Sequence, residues 1–158
     1  MKLQRATLLG LYAILELADQ PDLQLSRSDI ARKFNVSSNH LSKVMRDLGK
    51  AGLVEAVRGV GGGYRFSGNA KRTTLLDIIN IFEALRFDSP NLREPGMDTE
   101  LGQALELVLS EINANIHSTL RSISINTMLM LKNRRQAVPS DSSQSVATIQ
   151  QSRPDELL

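Results

Sequence analysis

The apolar residues at the start of the chain recur with the period of an α-helix. Within residues 3–18 they fall at steps of three and four and therefore share one face: Leu8, Leu11, Tyr12, Leu15 and Ala18. Such a face predicts an amphipathic helix that packs on a core. Pro21 disfavours helical backbone in the residue before it, so the helix is expected to end at Ala18 and residues 19–22 to stop it.

Two helices separated by a tight turn are predicted next. Ser26 or Ser28 can cap a short second helix, and Ser37 can cap a longer third helix that runs to about Ala51. The turn between them falls at residues 35–36. Two helices joined by so short a turn are typical of a helix-turn-helix, whose second helix can enter the major groove of DNA.

The pattern then changes to that of β-strands. Residues 53–58 and 64–66 read as two strands, and they flank the glycine-rich residues 59–63. This arrangement predicts a β-hairpin. A helix-turn-helix followed by a hairpin has the order of elements of a winged helix.

Helical periods return in the second half of the chain. Thr74 can cap a fourth helix, and after a loop a long helix is predicted from about Thr99 to Leu120, with a last short helix near residues 126–133. Along and just beyond the long helix, seven apolar residues at steps of three or four form a narrow seam: Leu101, Leu105, Val108, Ile112, Ile116, Leu120 and Ile123. A continuous seam of this width is typical of helices that pack along each other.

These elements divide the chain into four parts. Residues 1–86 are predicted to form a winged helix-turn-helix DNA-binding domain, residues 87–98 a loop, and residues 99–134 the C-terminal helices. Residues 135–158 are rich in Ser and Gln and poor in apolar residues, which predicts a disordered tail. The predicted fold class is therefore mainly α with a small β-hairpin.

Composition and charge narrow the classes of function. The chain has no cysteine, which excludes disulfides, catalytic thiolates and cysteine-ligated metal sites. Because no signal peptide or bilayer-spanning run is evident, we expect a cytoplasmic protein with no membrane partner. The net charge of +2 is uneven: residues 1–72 hold 12 Lys and Arg against 6 Asp and Glu, whereas residues 73–158 hold 7 against 11. A basic N-terminal half suits double-stranded DNA as a partner.

The third helix carries side chains suited to reading DNA. Small polar residues come first and basic residues follow: Ser37, Ser38, Asn39, His40, Ser42, Lys43 and Arg46. This order fits a helix whose tip meets base edges and whose flank meets phosphates. Asn39 could pair with an adenine edge, and Lys43 could reach a guanine or a phosphate. Taken alone, the same pattern also fits an ordinary solvated helix face.

The hairpin adds two arginines beside its glycine-rich turn. Arg58 precedes the turn and Arg65 follows it, and an arginine at a hairpin tip can enter a narrow minor groove. A flexible loop or a phosphate cradle is the alternative for the glycines. A nucleotide-binding fingerprint, however, needs glycines that open a helix, and here a strand follows. Ser28, Gly61 and Tyr64 complete the set of expected DNA contacts.

The run VSSNHLSKVMRDLGKAGLVEAVRGVGGGYRFSGNAKRTTLLDIINIFE, with LLGLYAILELA before it, resembles the Rrf2 family of winged-helix regulators. The resemblance covers residues 3–130, VRGVGGGYRF is its most specific element, and VSSNH is most similar to the nitric-oxide-sensing branch. It implies a homodimer held by the long helix through the seam, so that residues 99–134 are dimerisation helices. It also implies recognition helices in successive major grooves, with Arg58 reading the minor groove.

The loop at residues 87–98 departs from that family. Members that bind an iron–sulfur cluster carry three cysteines there, and Glu100 stands where the last one would be. Because such a cluster needs mostly thiolate ligands, no cofactor is expected. Glu94, Asp98, Glu100 and Glu106 could hold a hard cation, although an acidic, solvated loop accounts for them as well. Nothing in the sequence brings His40 and His117 together as metal ligands.

The sequence thus predicts a transcriptional regulator, in the first instance a repressor, that binds a palindromic operator as a homodimer in response to an unknown effector. The alternative is a regulator controlled by a protein partner or small ligand that docks on the acidic C-terminal half. An enzyme is not expected, because neither G-x-S-x-G nor H-E-x-x-H occurs.

Overall fold

The computed structural model describes residues 2–83, 96 and 98–136, which form six helices and one hairpin. The elements in chain order are α1 (Arg5–Asp19), α2 (Arg27–Lys33), α3 (Ser38–Lys50), β1 (Val54–Val57), β2 (Gly63–Phe66), α4 (Leu75–Phe82), α5 (Glu100–Ser122) and α6 (Ile125–Gln136). The mainly helical fold with a small hairpin that the sequence predicts is confirmed.

Hydroxyl side chains determine where four of the helices begin. Ser26 caps α2, Ser37 caps α3, Thr74 caps α4 and Thr99 caps α5. Each accepts a hydrogen bond, at 3.0–3.3 Å, from the backbone N–H three residues further on. These bonds satisfy donors that have no partner inside the helix. Of the two serines predicted for α2, Ser26 rather than Ser28 is the cap.

The apolar faces of the helices meet in one core cluster. Ile14 and Leu17 of α1 and Leu41 and Leu48 of α3 have no accessible surface. The buried side of α3 is the predicted one, but the face predicted for α1 is wrong, because Leu8 and Tyr12 are 37% and 51% exposed and the side that packs on α3 and α4 is centred on Ile14 and Leu17. Because α1 and α3 bury these faces in the same core, the exposed side of α3 has a fixed orientation relative to α1.

The hairpin is shorter than predicted and is joined by a third segment. β1 pairs antiparallel with β2, and Arg58 lies beyond the end of β1 rather than within it. Leu25, between α1 and α2, exchanges two backbone hydrogen bonds with Tyr64 of β2, at 3.0 and 2.9 Å. The hairpin is therefore attached to the helix-turn-helix on the side of α2.

The chain leaves the core along α5 and returns to it in α6. No residue of α5 is buried, but Ile125 at the start of α6 has no accessible surface and belongs to the core cluster. Two backbone hydrogen bonds of 2.9 Å fix the junction, from Leu75 N to Ile123 O and from Ile125 N to Thr73 O. The sequence groups α6 with the long helix, whereas the structure packs it against α1.

Some of the predicted segments lie outside the described residues. They include the last three residues of the predicted DNA-binding domain, 84–86, and residues 87–98 apart from Gly96 and Asp98. The predicted tail begins at residue 135, but α6 runs to Gln136, and the remaining residues 137–158 lie outside the described part. Within the described ranges, no helix combines the length and apolarity needed to cross a bilayer.

Candidate nucleic-acid interface

α3 presents a polar and basic stripe to solvent. Asn39, Lys43 and Arg46 are exposed, and steps of four and three residues place them along one side of the helix. The other side is packed, with Leu41 and Leu48 fully buried. A helix of 13 residues held in this way can insert its exposed stripe into a major groove without rearrangement of the core.

Other predicted contacts on α3 already have intramolecular roles. Ser37 uses its hydroxyl as the helix cap. Ser42 is half-buried and donates a hydrogen bond of 2.8 Å to the carbonyl oxygen of Ser38, which is itself exposed. His40 is half-buried and lines a cleft together with Arg5 and other residues of α1. The stripe described above is therefore the most accessible part of the helix.

Arg27 at the start of α2 is a candidate that the sequence analysis missed. Its Nη1 lies 3.4 Å from Ser42 Oγ, and it lines a hollow with Arg46 between α2, α3 and the hairpin. A cation at this position can meet a phosphate that borders the groove. Ser28, a predicted contact, is exposed beside it, with its hydroxyl 2.9 Å from that of Ser26. The sequence offered one signal for this contact, a basic residue at the predicted start of the helix that precedes the recognition helix.

The hairpin turn exposes one cation and one apolar side chain at its tip. Arg58 is exposed, and so is Val60, which the sequence analysis did not select. Gly62 N donates a hydrogen bond of 2.9 Å to Gly59 O and closes a four-residue turn, in which Gly61 has a φ of +78°. That conformation favours glycine and makes the tip narrow. A tip of this shape can approach the floor of a DNA groove closely.

The wing, residues 58–66, is held against the segment before α2. Gln24 Nε2 donates a hydrogen bond of 2.6 Å to Gly61 O, in addition to the backbone pair between Leu25 and Tyr64. A Cβ on Gly63 would collide with the carbonyl oxygen of Leu25, so only glycine permits this approach. Tyr64 is half-buried and packs on the core here. These contacts fix the direction of the wing relative to α3.

The charges on this surface differ in their availability. Lys43, Arg46 and Arg58 have no carboxylate partner within the part of the chain that the structure describes. Arg65, by contrast, pairs with Glu55 on the neighbouring strand. Three unpaired cations beside exposed amide and hydroxyl groups form a surface suited to a polyanion.

The predicted seam is only partly covered by the chain itself. Its first four residues have between 41% and 81% of their surface accessible: Leu101, Leu105, Val108 and Ile112. Its last three are half-buried: Ile116, Leu120 and Ile123. Ile123 lies at the C-cap of α5, in the junction with α6. The first half of α5 therefore exposes a row of large aliphatic side chains.

Within residues 2–83, 96 and 98–136, no three His, Cys, Asp or Glu side chains are grouped so that they could hold a metal ion. Asp98 and Glu100 are exposed, Glu106 is half-buried, and Glu94 lies outside those ranges. His117 is half-buried on α5.

Comparison of this sequence with known proteins identifies the family to which the chain belongs. The model of the Rrf2 family, described as iron-dependent transcriptional regulators, matches residues 3–131. This chain belongs to the Rrf2 family. The Rrf2 chain is 53% identical over 130 residues to the HTH-type transcriptional regulator BadM of Rhodopseudomonas palustris, a match that covers 82% of this chain and 81% of BadM.

Solved structures are similar to the Rrf2 chain over most of its length. IscR of T. potens aligns with a TM-score of 0.69 and 26% identity, covering 87% of this chain and 93% of IscR. CymR, the global cysteine regulator of B. subtilis, aligns with a TM-score of 0.68 and 28% identity, covering 83% of this chain and 98% of CymR. The resemblance inferred from the sequence is confirmed. The Rrf2 protein is a DNA-binding transcriptional regulator and not an enzyme.

The family description raises the question of whether this Rrf2 chain can hold an iron–sulfur cluster. Such clusters are held by cysteine thiolates, with histidine replacing only some of them. The chain contains no cysteine and only two histidines, His40 on α3 and His117 on α5. The side chains of this Rrf2 protein therefore do not fit an iron–sulfur cluster.

Proposed function

We propose that this regulator is a repressor that reads a specific operator through α3 and the wing. The observation that carries the proposal is the exposed stripe of α3 beside an anchored wing. Asn39 offers an amide that can pair with adenine, and Lys43 and Arg46 offer cations for guanine or phosphate oxygens. Arg58, at the wing tip, would enter the adjacent minor groove.

The operator is expected to be palindromic because the regulator would bind it as a homodimer. The exposed aliphatic row on α5, from Leu101 to Ile112, supports a dimer, since such a row is stabilised when a second copy covers it. A two-fold dimer presents two recognition helices in opposite directions, and these match two inverted half-sites. Repression is the result that binding alone can produce, because an occupied promoter excludes RNA polymerase.

The regulator would respond to a signal other than an iron–sulfur cluster. The absence of every thiolate from the chain supports this. Control by a small ligand or by a protein partner on the C-terminal helices is the alternative that remains compatible with these residues.

Binding of the full-length protein to a library of genomic fragments tests the proposal. We expect a few fragments to bind at least about 10³-fold more tightly than bulk DNA, and to be repressed in transcription assays in vitro. Affinity should fall steeply with salt, in line with about six to ten phosphate contacts. Uniform affinity for all fragments would show that the protein is not sequence-specific.

An Asn39→Ala variant separates base reading from phosphate binding in the same assay. Loss of the amide should weaken operator binding by about 1–3 kcal/mol and leave binding to bulk DNA almost unchanged. Arg46→Gln is the matched variant, because loss of a phosphate contact should weaken both and reduce the salt slope by about one. Equal effects of the two substitutions on both DNAs would remove Asn39 from the reading surface.

A further inference from the structure

A cleft of about 920 Å³ lies between α1, the end of α2 and α6, on a part of the surface separate from α3 and the wing. Tyr12 and Leu15 of α1, Phe34 after α2 and Leu129 of α6 supply its apolar lining. Sites for small molecules in proteins typically have volumes of about 300–1,000 Å³ and mostly apolar walls with a few polar groups. The cleft has the size and the lining of such a site.

Two aromatic rings form one wall of the cleft. Tyr12 and Phe34 are stacked with their centroids 5.7 Å apart and their planes inclined by 15°. Tyr12 nevertheless keeps 51% of its surface accessible. A flat apolar molecule that lies against this pair would remove that surface from water and gain the usual stacking geometry.

The charged groups of the cleft leave an excess of positive charge. Lys33 pairs with Glu16 at 2.5 Å, and Lys132 pairs with Asp19, so each carboxylate in the lining is engaged by a cation. Arg134 and Arg135 line the same cleft and have no carboxylate partner among the described residues. Two guanidinium groups are thus available to an anion.

The helix dipole of α6 does not cancel the positive charge of Arg134 and Arg135. A helix C-terminus carries the equivalent of about half a negative charge. Arg134 and Arg135 together carry two positive charges in the last turn of α6, so the local balance remains positive. Guanidinium groups also bind carboxylates through two parallel hydrogen bonds, which favours a planar acid over a spherical ion.

We propose that this cleft is the effector site of the regulator and that it binds an organic anion with a flat apolar body. Arg134 and Arg135 hold the acid group, while the body lies against Tyr12 and Phe34. The assignment rests on the proposed function for its regulatory part, although the binding site itself does not depend on DNA.

The helices that line the cleft are connected both to α5 and to the start of α3. α6 follows α5 after the short junction at Ile123, so it is coupled to the helix that carries the seam. On the other side, Tyr12 and Phe34 also line a second cleft of about 500 Å³ that extends to Ser37 and His40 at the start of α3. Because α1 packs against both α6 and α3, an anion that draws α6 and α1 together would act on the helix that supports α3. It would alter operator affinity to the extent that it binds one arrangement better than the other.

Isothermal titration of the full-length protein with 2-naphthoate tests the site. The neutral 2-naphthamide is the matched probe, because it keeps the flat body and lacks the charge. We expect one saturable site per chain for 2-naphthoate and at least about tenfold weaker binding of 2-naphthamide. No binding of 2-naphthoate, or equal affinity for both probes, would overturn the assignment.

Variants assign the binding to the named side chains. Arg134→Gln combined with Arg135→Gln should weaken 2-naphthoate binding by at least about tenfold, and Tyr12→Leu should weaken both probes. Arg121→Gln, an exposed arginine on α5 outside the cleft, is the control and should bind as the unaltered protein does. Thermal unfolding verifies that each variant is folded. If the double variant binds normally, or if it loses dimer content instead of ligand, the cleft serves another occupant, such as a second copy, and the proposal is wrong.

Operator binding tests the regulatory part separately. Saturating 2-naphthoate should change operator affinity by at least about fivefold in the unaltered protein and have no effect in the double arginine variant. If the ligand binds but operator affinity does not change, the effector role is overturned. If no fragment is preferred even without ligand, the proposed function fails, whereas the titration still decides the binding site.

Discussion

Arg58 and Gln24 illustrate two ways in which one residue can act on DNA. Arg58 is exposed at the wing tip and can touch the duplex itself. Gln24 lies before α2, and its amide is bonded to Gly61 O at 2.6 Å, so it would act by holding the tip in place. A positioning residue of this kind matters only while the side chain that it positions is present.

A double-mutant cycle tests this dependence. Arg58→Ala should weaken operator binding by about 1–3 kcal/mol, and Gln24→Ala by a smaller amount. In the double variant the effects should not add, with a coupling of at least about 0.5 kcal/mol, because the residues share one pathway. Fluorescence anisotropy with operator DNA measures all four proteins, and Asn80→Ala, exposed on α4, is the control. Strict additivity would mean that Gln24 does not act through Arg58.

The α5 helix exposes much of its apolar surface to solvent. Between residues 101 and 112 it exposes five large aliphatic side chains, four of the seam and Leu107, and none of its residues is buried. Burial of one such side chain contributes roughly 1.5–3 kcal/mol. Contact with a second copy along this row would therefore stabilise a dimer substantially.

Charges placed in the seam, one at the end of the exposed row and one in the half-buried part, test its role. Ile112→Asp combined with Ile116→Asp should give a monomer and reduce operator affinity by at least about tenfold, since each carboxylate would have to be desolvated at the interface. Ser110→Asp, on a different side of α5, is the control for added charge. Sedimentation velocity measures the oligomeric state. A dimer that persists in the double variant would move the interface elsewhere.

Local signals explain why most elements were predictable from the sequence. The caps Ser37, Thr74 and Thr99 bond to N–H groups three residues away, so the chain around each one contains all the information that the helix start requires. The exposed stripe of α3 was predictable for a similar reason, because the helical period alone separates it from the buried side.

Contacts between distant segments explain what the sequence analysis missed. The return of α6 to the core depends on hydrogen bonds from Leu75 N to Ile123 O and from Ile125 N to Thr73 O, and no local pattern encodes that pairing. Gln24 and Arg27 were missed for the same reason. Gln24 contacts Gly61 of the wing, and Arg27 contacts Ser42 of α3, and both contacts join residues that are distant in the sequence. The engagement of His40 with α1 is likewise a tertiary effect that residue type does not reveal.

At the scale of the whole molecule, the proposed dimer would fix the distance between two recognition helices. Half-sites read in this way lie one helical turn apart, about 34–36 Å, or a multiple of that distance. A 5-bp insertion between the half-sites should turn one of them to the opposite side of the duplex. Affinity should then fall to that of a single half-site, as measured by gel shift. An equal-length duplex with altered flanks is the control, and unchanged affinity after the insertion would indicate independent monomers.

The return of Ile125 to the core also limits how this regulator can be taken apart. A fragment that ends after α4 would lack Ile125 and would expose to water the core residues that Ile125 covers. We therefore expect that residues 2–83 alone do not form a stable domain that could be moved to another protein. Fusions and chimeras that aim to give it a new specificity would have to move α6 together with α1–α4. In the proposed dimer, α5 is an insertion between two parts of one folded unit, and a different dimerising helix with the same distance between its ends could replace it.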